Sequence, residues 1–238
     1  LHKLNLKKNF QIKNLCLCIG NFDGIHKGHQ FVIKKIIKHS RDFKMKSAIM
    51  TFNPHPKIFF KKNDGAFNII TSDYKKLFLN SLGIQNYIEY SFNKTLSNLS
   101  AIEFIEKVLV KQLNVRKIIV GNDFRFGKNR SGDTKLLKSL SSKYNYKLIS
   151  ISHIKNNNTH LKYSSSAIRK NIEKGQFEKV TEALGRSWQM NGKVIKGKQK
   201  ARLINFPTAN IRPGKQIYPK KGVYCVNVLF NRQKFKGI

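Results

Sequence analysis

Cysteine, acidic side chains and long apolar runs are all scarce in this chain. Its three cysteines include no Cys-x-x-Cys pair, which excludes a disulfide framework and a thiolate zinc set. No apolar run approaches the ~18 residues of a membrane helix, and no cleavable leader is read. The expectation is a reduced, soluble, cytoplasmic protein with no membrane partner. Leu1 in place of Met fits a fragment or a processed form. Acids number 12 against 47 Lys and Arg, for a net charge of +35. The lysines are spread along the whole chain among many Ile and Asn residues, so they read as diffuse surface charge and not as a specific nucleic-acid face. That field favours anionic substrates, and nonspecific polyanions at low salt. At 238 residues there is room for one large or two small domains.

The most informative stretch is Gly20-Asn21-Phe22-Asp23-Gly24-Ile25-His26-Lys27-Gly28-His29. It follows the apolar run Leu15 to Ile19, a buried strand, and precedes Phe31-Val32-Ile33 and Ile36-Ile37, the inward face of a helix. At such a turn, glycines let backbone approach a ligand, the helix start points N–H groups at it, and imidazoles donate to phosphate oxygens. Charge building on a phosphate is what these donors stabilise. The rival readings are a glycine turn with two surface histidines, or a His-x-x-His metal site.

Three further blocks follow strands or open helices. Thr51-Phe52-Asn53-Pro54-His55-Pro56 is a rigid turn that frees Asn53 and His55 to hydrogen-bond. Gly121-Asn122-Asp123-Phe124-Arg125-Phe126-Gly127, continuing to Arg130-Ser131-Gly132-Asp133, alternates aromatic and charged residues. Such a loop can stack on a planar ring and address its polar edge, although one of Phe124 and Phe126 can instead pack into the core. Ser164-Ser165-Ser166-Ala167-Ile168-Arg169 offers hydroxyls, helix amides and a guanidinium to a polyphosphate.

Strands are expected at Ser47 to Phe52, Tyr87 to Tyr90, Lys117 to Val120 and Lys147 to Ile151. Helices are expected from the Ser100–Glu103 capping box to about Gln112 and over Thr134 to Tyr144. This alternation predicts an α/β fold, a parallel sheet with ligands at the strands' carboxyl ends. Beyond Leu184, glycines and prolines punctuate short β-prone runs, Gly222 to Phe230 among them, as in a barrel-like β module. Residues 1–184 and 185–238 are the expected domains. Gly192 to Lys198 imitates half a P-loop, but Gln199 replaces the magnesium-binding hydroxyl and the flanks are strand-like.

Together these blocks resemble the bacterial bifunctional riboflavin kinase/FAD synthetase family, from about Leu15 to Ile238. The second module adds Gly185-Arg186, Phe206-Pro207-Thr208-Ala209-Asn210 and Gly222-Val223-Tyr224. The resemblance implies a Rossmann-like nucleotidyltransferase domain followed by an incomplete β-barrel riboflavin kinase domain. It implies AMP transfer from ATP to FMN, giving FAD and pyrophosphate, with Mg2+ bridging phosphate oxygens. His26, His29 and Arg169 would be catalytic, and Gly20, Phe22, Asp23, Gly24, Gly28, Ser164, Ser165 and Ser166 would join them around ATP. Asn53, Pro54, Asp123, Phe124, Arg125 and Phe126 would line the flavin side. In the kinase module, Gly197, Thr208 and Asn210 would serve nucleotide and metal.

The kinase module departs from the family pattern. Ala201 and Asn205 stand where the family has glycine, and the last carboxylate is Glu182. The family's catalytic glutamate lies further downstream than Ile238, so the expectation is a truncated chain that makes no FMN from riboflavin. Two alternatives stand beside this reading: another His-x-Gly-His adenylyltransferase with a non-flavin substrate, and a basic nucleic-acid-binding protein.

Overall fold

In the computed structural model, residues 2–3, 12–61, 66–152, 154, 162–197, 208–231 and 233–238 are described. Strand β1 (His2–Lys3) and β2 (Leu15–Ile19) precede α1 (Lys27–Asp42), β3 (Lys46–Asn53), α2 (Pro56–Lys61) and α3 (Ser72–Ser81). Next come β4 (Asn86–Ser91), α4 (Lys94–Asn98), α5 (Ala101–Glu103) and a π-helical continuation over Phe104–Gln112. Then follow β5 (Val115–Gly121), α6 (Thr134–Ser139), β6 (Lys147–Ile151), α7 (Ser165–Glu173) and α8 (Phe177–Leu184).

Strand β2 is apolar at every position because helices cover both of its faces. Its side chains alternate between two layers. Leu15, Leu17 and Ile19 pack with Phe104, Ile105, Val108 and Leu109. Cys16 and Cys18 pack with Ile33 and Ile36 of α1 and with Ile168 and Ile172 of α7. Such double burial is the habit of parallel strands. The sheet is parallel throughout, in the order β1-β4-β3-β2-β5-β6. From β2 the chain builds outward to β3 and β4 on one side, then crosses to β5 and β6 on the other. The carboxyl ends of β2 and β5 therefore flank a topological switch point, where doubly wound sheets take their ligands.

Two helices differ from the sequence expectation. The Ser100–Glu103 capping box is present, but past Glu103 the helix widens into π-turns, with Leu113 N–H donating to Val108 O at 3.0 Å. A wider turn keeps the pairs Phe104–Ile105 and Val108–Leu109 on one buried face. Helix α6 stops at Ser139, short of Tyr144. Its last carbonyls are taken by side chains, Ser141 Oγ on Lys138 O at 2.6 Å and the Tyr146 hydroxyl on Leu137 O at 2.6 Å.

Beyond α8, β7 (Gly192–Ile195) pairs antiparallel with β8 (Asn210–Pro213), and β9 (Val226–Phe230) pairs with β10 (Gln233–Gly237). The strand expected from Gly222 begins only at Val226, because the Tyr224 hydroxyl folds back onto Lys220 O. Residues 198–207 lie outside the described residues, so the Gly192–Lys198 imitation, Ala201, Asn205 and Phe206-Pro207 are wholly or partly out of view. Gly192 to Ile195 is a strand, as its flanks implied.

Candidate active site

The turn after β2 is held open by unusual backbone. Phe22 has φ 46°, Gly24 φ 84° and Ile25 φ 43°. His26 then caps α1, its Nδ1 accepting from His29 N at 3.2 Å. The two imidazoles stack with centroids 3.7 Å apart, and Phe22 lies 5.0 Å from His29. A Cβ at Gly28 would crowd the site, 3.1 Å from the His26 ring and 3.3 Å from Tyr163. Among the described residues, Asn21 Oδ1 and His29 Nδ1 are buried with no hydrogen-bond partner. Burial, then the charges of His26, Lys75 and Lys162, holds His29 well below the ordinary histidine pKa. His29 is therefore a neutral hydrogen-bonding ring at pH 7.

Two pockets meet beside this turn. The smaller, about 280 Å³, is lined by Gly20, Phe22, His26, Gly28, His29, Ser164 and Ser165, with Ile151 and Tyr163 on the β6 side. The larger, about 1430 Å³, has an aromatic wall of Phe52, Phe60, Phe67, Phe92, Phe104, Phe124 and Phe126. Gly20, Asp123 and Phe124 line both pockets. The Asp123 carboxylate there accepts from Lys162 Nζ at 2.7 Å. The loop bearing Phe124 and Phe126 is closed by paired backbone bonds between Phe126 and Gly132, at 3.1 and 2.9 Å. A Cβ on Gly132 would come 2.7 Å from the Phe126 ring. Arg125 lines the large pocket and pairs with Asp133, which caps α6. Phe126 is the core member of the aromatic pair, 7 % exposed and 5.5 Å from Phe104.

Four expected site residues, Asp23, Asn53, Pro54 and Gly24, line neither pocket, and a fifth, Arg169, lines the large one. Asp23 does not face either pocket. It is 2 % exposed, accepts from the amides of Ile69 (3.0 and 3.1 Å) and Ile70 (3.4 Å), and forms an ion pair with Arg169. Arg169, expected to clamp phosphate, lines the large pocket and is engaged there by this pair. Its Nε donates to Phe67 O at 2.9 Å and its guanidinium lies 3.8 Å over the Phe67 ring. Asn53 turns to the neighbouring strand, donating to Glu89 Oε1 at 3.3 Å, and Pro54 stays exposed. In their place His55 and Pro56 line the large pocket. Burial, then Arg169, Lys75 and Lys57, pulls His55 down to about 3. Gly24 also lines neither pocket; its role is the positive-φ turn.

Ser164 caps α7 by accepting from Ala167 N at 3.2 Å, Ser165 Oγ donates to Asp23 O at 2.7 Å, and Ser166 lines the large pocket. A Cβ on Gly197 would collide with the Asn210 side chain, so these two kinase-module residues adjoin, while Thr208 is exposed. The sequence reading missed Lys75. From α3 its ammonium reaches under the turn to Asn21 O at 2.9 Å, and burial lowers its pKa against the pull of Asp23 and Glu89. No local pattern announces a lysine that acts at a turn 54 residues away.

Residues 8–167 match the FAD synthetase family, and residues 184–238 match the riboflavin kinase family. A bifunctional riboflavin kinase/FMN adenylyltransferase from Buchnera aphidicola subsp. Schizaphis graminum is 37 % identical over 235 residues, 98 % of this chain and 74 % of that protein. Its counterpart from Buchnera aphidicola subsp. Acyrthosiphon pisum is 36 % identical over 222 residues, 93 % of this chain and 70 % of that one. In fold, the chain resembles a Streptococcus pneumoniae protein described as a macrolide-efflux protein. The TM-score is 0.81 at 28 % identity, over 95 % of this chain and 76 % of that one. Among the described residues, no helix is long and apolar enough to cross a membrane.

Proposed function

The chain belongs to the bifunctional riboflavin kinase/FMN adenylyltransferase family, and from that premise we propose that residues 1–184 transfer AMP from ATP to FMN. An oxygen of the FMN phosphate attacks the α-phosphorus of ATP, the α–β bridging P–O bond breaks, and pyrophosphate leaves with that oxygen. No enzyme group is covalently modified. The observation that carries this reading is the stacked histidine pair at the switch point, opening onto a small pocket joined to a large aromatic one.

His26 and His29 serve as phosphate donors in a turn that α1 points at with its amino end. A neutral His29 ring suits this task, because it orients a hydrogen bond without adding charge to the resting site. Ser164 and Ser165 border the small pocket for the nucleotide, and Ser166 stands at the large one. Phe124 is the ring between the two pockets and stacks on the flavin, while Phe126 backs it from the core. Arg125 and His55 address the flavin's polar edge and phosphate. Asp23 and Arg169 hold the frame.

Magnesium supplies charge neutralisation across the phosphate oxygens and asks few ligands of a protein. The Asp123 carboxylate, where the pockets meet, is an oxygen donor of the kind it takes. Thr208 and Asn210 offer similar donors in the segment matched to riboflavin kinase. From Ala183 onward the sequence has no Asp or Glu, so residues 183–238 bring no carboxylate base to a riboflavin hydroxyl. The buried free thiols Cys16 and Cys18 fit a reducing, cytoplasmic setting.

The test is FAD formation from FMN, ATP and magnesium by the purified chain, followed by chromatography. His29→Ala should lower turnover about 100- to 1,000-fold, the usual loss for one transition-state donor. A wild type that makes no FAD, or a variant that keeps full turnover, refutes the assignment. FMN titration separates it from an adenylyltransferase of another substrate, which would show no flavin affinity.

A further inference from the structure

Helix α8 ends at Leu184, and Gly185 turns the chain at φ 69°. Arg186 then lays its guanidinium back along the phosphate turn. Its Nη2 donates to Gly24 O at 2.7 Å, and its Nη1 to Ile25 O at 3.2 Å and Leu184 O at 3.3 Å. Gln30 of α1 donates to the same Ile25 and Leu184 carbonyls, at 2.9 and 2.8 Å. The guanidinium also sits 4.2 Å over the Phe78 ring.

Gly24 and Ile25 immediately precede His26, and both have positive φ. A non-glycine residue in that region persists only where its surroundings hold it. Because a trans peptide is planar, fixing the Gly24 and Ile25 carbonyls fixes two peptide planes in succession. Those planes set the point at which His26 caps α1, and with it the stacked His26–His29 pair. A planar guanidinium fork spans two consecutive carbonyls in a way a single ammonium does not. Yet Arg186 lies in the stretch matched to riboflavin kinase, while the turn lies in the stretch matched to FAD synthetase.

We propose that Arg186 is a positioning residue for adenylyl transfer: reaching back from the segment matched to riboflavin kinase, it sets the backbone of the Gly24–His26 turn and so the affinity of the phosphate site for ATP. The proposal rests on the reading of that turn as the ATP phosphate site.

The experiment is steady-state FAD formation with ATP and FMN varied separately, for wild type, Arg186→Ala and Arg186→Lys, with thermal melts alongside. Arg186→Ala should raise the KM for ATP about tenfold and leave the KM for FMN within about twofold, with Arg186→Lys in between. A fall in kcat with both KM values unchanged marks a smaller folded fraction and overturns the proposal, as do wild-type kinetics. If Arg186→Ala does not fold, Arg186→Lys decides: a raised KM for ATP alone supports the proposal, and any other result, misfolding included, overturns it. A wild type that forms no FAD refutes the adenylyl-transfer reading itself and is recognised before any variant is made.

Discussion

Replacing Asp23 by alanine should destabilise the protein more than any exposed substitution, although Asp23 sits within the stretch proposed to bind phosphate. Its carboxylate is 2 % exposed, receives two backbone amides and pairs with Arg169, itself 8 % exposed. Removing one partner of a buried pair costs about 3–5 kcal/mol, because the other charge is left uncompensated. At 238 residues, with about 2–4 °C per kcal/mol, the melting temperature should fall by roughly 6–20 °C. Arg169→Ala should cost a similar amount and also loses the Phe67 contacts. The double variant should cost clearly less than the sum, with a coupling of about 1–3 kcal/mol. Urea unfolding followed by fluorescence suits the measurement, since the single tryptophan, Trp188, donates to Ile69 O beside the Asp23 carboxylate. If the two costs add within about 0.5 kcal/mol, the pair is not the structural unit described. If Arg169→Ala keeps its melting temperature while FAD formation vanishes, the arginine is a phosphate clamp and the geometry has been misread.

Stability should also fall as pH drops from 6.5 towards about 4.5, before most carboxylates titrate. His29 and His55 have folded pKa values below 6.5, so in this window the unfolded chain binds protons that the folded one does not. His55 contributes a slope that rises to about 1.4 kcal/mol per pH unit across the window, and His29 adds to it in the same direction. Urea midpoints across the window should show the decline, and His55→Gln should flatten it; a level profile contradicts the buried, neutral rings. The aromatic pair should divide its labour: Phe126→Ala costs about 3–5 kcal/mol of stability. Phe124→Ala should melt near wild type and lose about 1–3 kcal/mol of FMN affinity in a fluorescence titration, the range measured for stacking platforms. Equal effects of the two variants on affinity and melting would remove the distinction.

The strands were legible because double burial writes itself locally. Five consecutive apolar residues at Leu15–Ile19 have no other reading once helical spacing follows within a short turn. The histidine turn was legible for the same reason, since a cap, three glycines and a helix start fall within ten residues. The ends of elements were less so. Ser141 and Tyr146 stop α6 by taking its carbonyls, and whether a hydroxyl continues or ends a helix depends on what lies opposite it.

Site roles were hardest to read wherever two residues distant in sequence share one contact. Asn53 looked free until β4 placed Glu89 beside it, through the register that pairs Thr51 with Glu89. The ion pair of Arg169 with Asp23 was not legible, because spacing does not show which cation a carboxylate has claimed. In a chain with 12 acids and 47 Lys and Arg, that is the decisive unknown. Cations here are abundant enough to surround any phosphate. A buried carboxylate, by contrast, must select one of them, since it cannot stay charged alone. Asp23 is the one acidic residue buried among the described residues, and it holds Arg169, 146 residues away, at the wall of the large pocket. The scarce charge thus assigns the abundant ones: Arg169 to Asp23 in the frame, and Arg186 to the carbonyls of Gly24 and Ile25. In the proposed function the phosphate then meets His26 and His29, the latter held neutral at pH 7 by its burial.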